Sequence, residues 1–90
     1  MKISTKGRYA LRILADIAEH GVEKNVPIRE IAERQGFSDK YLEGIVSRLS
    51  SAGLVKSGRG KYGGYRLVKL PAEYNVYEIL YAAEDSIAPV

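Results

Sequence analysis

Between residues 58 and 64 the chain reads Gly58-Arg59-Gly60-Lys61-Tyr62-Gly63-Gly64, four glycines in seven positions. No stable helix carries that density, because glycine gives up the most backbone entropy on folding. The flanks, Leu54-Val55-Lys56-Ser57 and Tyr65-Arg66-Leu67-Val68, switch from helical to alternating period and read as two strands. The segment is therefore a hairpin whose glycines permit the positive φ of a tight turn. Gly58, Gly60 and Gly63 also match G-x-G-x-x-G, the dinucleotide fingerprint. That fingerprint works only where the third glycine opens a helix that receives pyrophosphate. A strand follows here instead, so a nucleotide site is rejected.

Upstream of the hairpin the period is helical. Ala10, Ile13, Leu14, Ile17 and Ala18 form one apolar stripe along a helix from Ser4 to His20, which Gly21 ends. Val26-Pro27-Ile28 is short and proline-bearing, so it is an edge strand or a helix lead-in. A short helix over Arg29–Gln35 buries Ile31 and Ala32, and Gly36 stops it with Phe37 turned inward. Ser38 caps a third helix running to about Ala52, with Leu42, Ile45, Val46 and Leu49 on its buried side. Beyond Pro71, Asn75 with Glu78 three residues on caps a last helix that buries Val76, Ile79, Leu80 and Ala83. Tyr74, Tyr77 and Tyr81 fall at helical spacing and serve packing or a subunit interface.

This order (helix, short strand, helix, helix, strand, glycine-rich loop, strand, helix) defines an α+β chain, mainly α, in the winged helix-turn-helix arrangement. Residues 1–90 form one domain and residues 58–64 are the wing. Ala32 is the small residue where the two central helices cross, and Gly36 makes the sharp turn between them.

Charge separates the two ends of the chain. The net charge is only +3, but residues 51–70 hold Lys56, Arg59, Lys61, Arg66 and Lys69 and no acid. Residues 71–90 hold Glu73, Glu78, Glu84 and Asp85 and no base. The first stretch is suited to an anion and the second is not. On the third helix, Lys40, Gly44, Ser47 and Ser51 lie opposite the apolar stripe, flanked by Tyr41, Glu43 and Arg48. Such a mixture is also what any solvated helix presents; its place beside a basic hairpin gives it meaning.

Recognition helices read base edges mainly through their amino-terminal half. Lys40, Tyr41, Glu43 and Gly44 are therefore the expected major-groove residues of helix 38–52. Lys40 would donate to guanine and Glu43 would accept from cytosine N4, while Gly44 lets the backbone approach. Ser38 and Arg48 are expected on phosphates, which fixes position rather than sequence. Arg59 suits a narrow minor groove, with Gly60 allowing close approach and Lys61 adding a phosphate contact. Ser4, Lys6 and Arg8, with Thr5, stand at the start of the first helix, where free amides favour phosphate or an ordinary cap.

Catalysis and metal binding find no support. The chain has no cysteine and its only histidine is His20, so neither a thiolate site nor a histidine cluster forms within it. No apolar run reaches the roughly 18 residues of a membrane span. Arg12 and Asp16 interrupt any signal-peptide core, and a cytoplasmic location is expected. A winged helix used for protein docking, or for RNA, is the competing class. The acid-free hairpin and the lack of an exposed aromatic platform argue against both.

Met1-Lys2-Ile3-Ser4-Thr5-Lys6-Gly7-Arg8-Tyr9-Ala10, Ile31-Ala32-Glu33-Arg34-Gln35-Gly36, Tyr41-Leu42-Glu43 and Leu49 through Val55 strongly resemble the IscR, NsrR and CymR family. Arg59-Gly60 with Tyr62-Gly63-Gly64-Tyr65 completes a likeness that spans nearly the whole chain. The resemblance implies a bacterial transcription regulator, a repressor, that binds a palindromic operator in double-stranded DNA as a homodimer. It also assigns DNA contact to Tyr41 and Glu43 and to Arg59 and Gly60. Many relatives carry three cysteines that hold an iron–sulfur cluster; others sense through a protein partner or a small molecule. The resemblance places a dimerisation helix and any sensor segment outside residues 1–90. An iron–sulfur cofactor is expected only if cysteines lie beyond Val90.

Overall fold

A computed structural model describes residues 4–21, 24–58 and 63–84. The elements are helices α1 (Thr5–His20), α2 (Ile28–Gln35) and α3 (Asp39–Ser51), strands β1 (Val55–Ser57) and β2 (Tyr65–Leu67), a 3-10 turn Pro71–Glu73, and helix α4 (Val76–Ala83). Among the described residues this is the expected order, helix-turn-helix followed by a two-strand hairpin.

The α1 stripe is central. Ala10, Ile13, Leu14 and Ile17 are buried, and α1 packs against α2, α3, α4 and β2. Ile31 of α2, Leu42, Ile45, Val46 and Leu49 of α3, Val55 of β1 and Ile79 and Ala83 of α4 complete one core. Each fully buried large aliphatic side chain stabilises by about 1.5–3 kcal/mol. A partly exposed pair such as Lys69–Glu78, at 3.0 Å, contributes about 0–1 kcal/mol. Packing, not surface charge, therefore sets where the helices stand.

Two glycines carry the sharp turns. Gly36 adopts φ +76° between α2 and α3, where its amide closes on the Ala32 carbonyl at 2.8 Å. Gly64, at φ +104°, lies so close to Val26 that an added Cβ would stand 2.7 Å from the Val26 carbonyl carbon. That approach lets Val26 and Tyr65 exchange backbone hydrogen bonds of 2.8 and 2.9 Å. The Val26-Pro27-Ile28 segment is thus both things at once: Val26 bridges β2, and Pro27 leads into α2 from its N-cap position.

Three details depart from the expectation. The strands are shorter, because Leu54 is buried at the exit from α3 and Val68 has turned out to solvent. Ala18 is half-buried, at the edge of the α1 stripe. Val76 is 50% exposed, since the α4 residues buried in the core are Ile79, Leu80 and Ala83, with Ala82 packed against its edge. Its cap is as expected: Asn75 accepts from the Tyr77 amide at 2.7 Å, and Glu78 accepts from the Asn75 amide at 2.8 Å. That amide, and then Lys69, hold the Glu78 carboxyl below its usual range.

Tyr74 packs against the core, but from the loop before α4 rather than from the helix its spacing suggested. Its hydroxyl donates to the Leu54 carbonyl and accepts from the Val68 amide at 3.0 Å, tying the two ends of the hairpin together. Tyr74→Phe leaves both backbone groups without this partner and should cost about 1–2 kcal/mol. Urea unfolding should show a lower midpoint with an unchanged slope; an unchanged midpoint would remove Tyr74 from the hairpin's support.

Candidate nucleic-acid interface

Each helix that begins on the candidate face starts with a serine cap. Ser4 accepts from the Gly7 amide at 2.9 Å and Ser38 from the Tyr41 amide at 3.1 Å. Both hydroxyls keep a proton to donate outward. The first turn of α1 contains no acid, and Arg8 there is exposed while Lys6 is half-buried. The α1 amino terminus is thus a cap and, with its bases, a place where an anion is electrostatically welcome.

Along α3, Lys40, Glu43, Gly44, Ser47 and Ser51 are all exposed, as the helical wheel requires, and Arg48 is half-buried. Tyr41 lies on the outer side of α3, as expected, and is also held by neighbouring rings. It is 37% exposed, and its ring meets Tyr9 of α1 edge-on at 5.8 Å and Phe37 at 6.2 Å. Tyr9 and Phe37 themselves stand 4.4 Å apart. The Arg12 guanidinium lies over the Phe37 ring at 5.2 Å and the Tyr9 ring at 5.7 Å, while its Nε donates to Gln35 at 3.1 Å. Rings at such distances stabilise by about 0.5–1.5 kcal/mol per pair beyond their burial. The cluster therefore fastens the first turn of α3 to the first turns of α1. It holds Tyr41 and the start of α3 against Tyr9 of α1.

A second joint adjoins this cluster at the carboxyl end of α2, where Gln35 takes part in both. Asp16, 3% exposed, stands on the buried side of α1. Arg34 Nη2 donates to its Oδ1 at 2.7 Å, Arg34 Nε to its Oδ2 at 3.0 Å, and Gln35 Nε2 to Oδ2 at 2.9 Å. Burial pushes the Asp16 carboxyl upward, but the hydrogen bonds from Arg34 and Gln35 and the guanidinium charge outweigh it. The group titrates below its ordinary range. Tyr9, Arg12, Asp16, Arg34, Gln35 and Phe37 were not singled out as site residues from sequence. The one available signal was a carboxylate set between Ile13 and Ile17 on an apolar stripe.

The wing is described only at its base. Gly58 donates to the Gly64 carbonyl at 2.9 Å, closing the hairpin below its tip. Arg59, Gly60 and Lys61 lie outside the described residues. Among the described residues no group of three metal-ligating side chains occurs, and no helix is long and apolar enough to cross a membrane.

The family model described as Rrf2, iron-dependent transcriptional regulator, matches residues 3–90. The chain belongs to the Rrf2 family. It is 46% identical over 90 residues to protein rrf2 of Nitratidesulfovibrio vulgaris, covering 100% of this chain and 60% of that protein. It is also 46% identical over 90 residues to the regulator CymR of Bacillus subtilis, covering 65% of it. The regulator IscR of Photorhabdus laumondii is 46% identical over 87 residues, 97% of this chain and 53% of IscR. Among solved structures, CymR, the global cysteine regulator of B. subtilis, superposes with a TM-score of 0.86 at 44% identity over 100% of this chain and 70% of that one. IscR of T. potens gives 0.85 at 43% identity over 100% of this chain and 66% of that one. The winged-helix fold and the family resemblance read from the sequence are both borne out. The names are those of transcriptional regulators, which bears out the non-enzymatic reading. This chain spans between about half and two thirds of the length of these curated relatives.

The family description couples its members to iron, yet the residues here do not fit an iron–sulfur group. The 90 residues contain no cysteine to supply a thiolate.

Because Asp16 is held ionised by partners it lacks when unfolded, the joint stabilises above the unfolded carboxylate value of about 3.9. That stabilisation is lost as pH falls through the lower folded value. Asp16→Asn should cost about 2 kcal/mol at neutral pH, discounted for a partly exposed Arg34. The gap between parent and variant should close in urea melts below about pH 4; a gap that persists in acid would show that the carboxylate charge is not what matters.

Proposed function

We propose that this chain is the DNA-binding part of a transcription regulator, with α3 (helix 38–52 with its caps) in the major groove and the wing, residues 58–64, in the minor groove. The observation that supports this best is the exposed outer face of α3 beside a hairpin region, residues 51–70, that contains five bases and no acid. Lys40, Glu43 and the Gly44 backbone read base edges. Tyr41 both contacts the duplex and braces α3 through its ring cluster. Ser4, Lys6, Arg8, Ser38, Arg48 and Lys61 hold phosphates, and Arg59 with Gly60 enters the minor groove.

In the full protein, two copies read the half-sites of a palindromic operator and repress transcription from the cytoplasm. Residues 1–90 are then the winged-helix domain, with the dimerisation helix and any sensor segment elsewhere in the protein. The α4 surface adds support for pairing, since Val76, Tyr77 and Tyr81 are 50–58% exposed on one short helix.

Selection from randomised duplexes tests the specificity. It should enrich a two-fold symmetric motif, and affinity should fall with salt at a log–log slope near −0.9 per phosphate neutralised. Glu43→Gln should lose about 1–3 kcal/mol of preference at one base pair per half-site, while Arg59→Ala should weaken all duplexes alike. No enriched motif and a flat salt dependence would refute the reading.

A further inference from the structure

The ladder pairs Lys56 of β1 directly with Arg66 of β2. Their neighbours Val55, Tyr65 and Leu67 turn toward the core, so both cations stand on the outer face, and both are exposed. Residues directly opposite in an antiparallel pair have Cβ atoms about 5 Å apart, and like charges there are destabilising. A hairpin selected for stability alone would set a carboxylate in one of these positions. Among the described residues, neither cation has an ion-pair partner.

The row continues across the sheet. The Val26–Tyr65 bridge brings Asn25 alongside Arg66, and Arg66 Nε donates to Asn25 Oδ1 at 3.1 Å. The Asn25 amide is itself packed over Gly58, where an added Cβ would collide with it. This neutral partner orients the guanidinium plane without cancelling its charge, and the terminal nitrogens have no partner among the described residues. An oriented planar fork beside an ammonium suits a phosphate oxygen pair. Lys24 lines the same cleft as Arg66, adding to the positive field. The other cation of that cleft, Lys69, is already matched by Glu78 at 3.0 Å, and Glu73 accepts from the Leu70 amide.

We infer that Lys56 and Arg66 form a phosphate-holding pair on the hairpin's outer face, gripping the DNA backbone beside the bases that α3 reads. The inference rests on the DNA-binding reading above. It adds a contact that neither the wing tip nor α3 supplies, and a duplex phosphate is favoured over a free anion because the pair leads directly into the wing.

The test compares the full chain with K56Q, R66Q, the double variant and K69Q on one selected duplex and one scrambled duplex over a salt series. Each of K56Q and R66Q should make the log–log slope shallower by about 0.9, and the double variant by about 1.8. The ratio of selected to scrambled affinity should stay constant, because phosphates carry no sequence information. K69Q removes the same formal charge but should leave the slope unchanged. The melting temperature of K56Q should not fall, since a repulsive pair is being relieved. If the double variant keeps the parent slope, or K69Q lowers it equally, the pair is overturned while the DNA-binding reading stands. If the parent chain itself binds no DNA, both fall together.

Discussion

Asp16 places an almost fully buried carboxylate against the carboxyl end of α2, and the rest of the arrangement depends on satisfying it. A carboxylate taken out of water costs several kcal/mol unless charge and hydrogen bonds replace its solvation. Arg34 and Gln35, adjacent on the last turn of α2, replace it together. Any rotation of α2 about its axis would strand the charge, so the pairing fixes α2 on α1. Gly36 then turns the chain sharply into α3, and Tyr9, Phe37 and Tyr41 fix the start of α3 to the start of α1. The apolar core alone would tolerate small slides of one helix on another; these two polar and aromatic joints allow far fewer.

A rigid helix pair has a functional consequence. Contacts that discriminate bases depend on sub-ångström placement of a few side chains, so the brace matters as much as the reader. The ring cluster holds the amino-terminal turn of α3 against that of α1, and each helix begins with a serine cap that accepts one of its first amides. The hairpin is anchored separately, by Val26 against Tyr65 and by the Tyr74 hydroxyl across its base. On the proposed reading, the helices supply the base contacts and part of the backbone grip, and the hairpin supplies the rest.

Much of this was legible in the amino-acid sequence, for a physical reason. Helical stripes, glycine stops and serine caps are local signals, and the four helices and the hairpin followed from them. Val76 was misplaced because an apolar residue at the first position of a helix satisfies the same periodicity whether or not a partner covers it. Tyr41 was read correctly as facing outward, but its ring contacts are to residues 4 and 32 positions away, and no spacing rule reports those. Asp16 stood out only as a polar interruption, since its partners come from another helix. The pairing of Lys56 with Arg66 required the strand register, which a glycine-rich turn of unspecified geometry does not fix.

On the proposed reading, these joints present α3 and the hairpin strands as one DNA-facing surface. Titrating a selected duplex into the isotope-labelled chain while following backbone amide signals maps that surface residue by residue. The largest shifts should fall within residues 4–8, 38–48 and 56–66, with the 71–74 turn unmoved. Shifts confined to residues 76–83, with residues 38–48 unchanged, would contradict it.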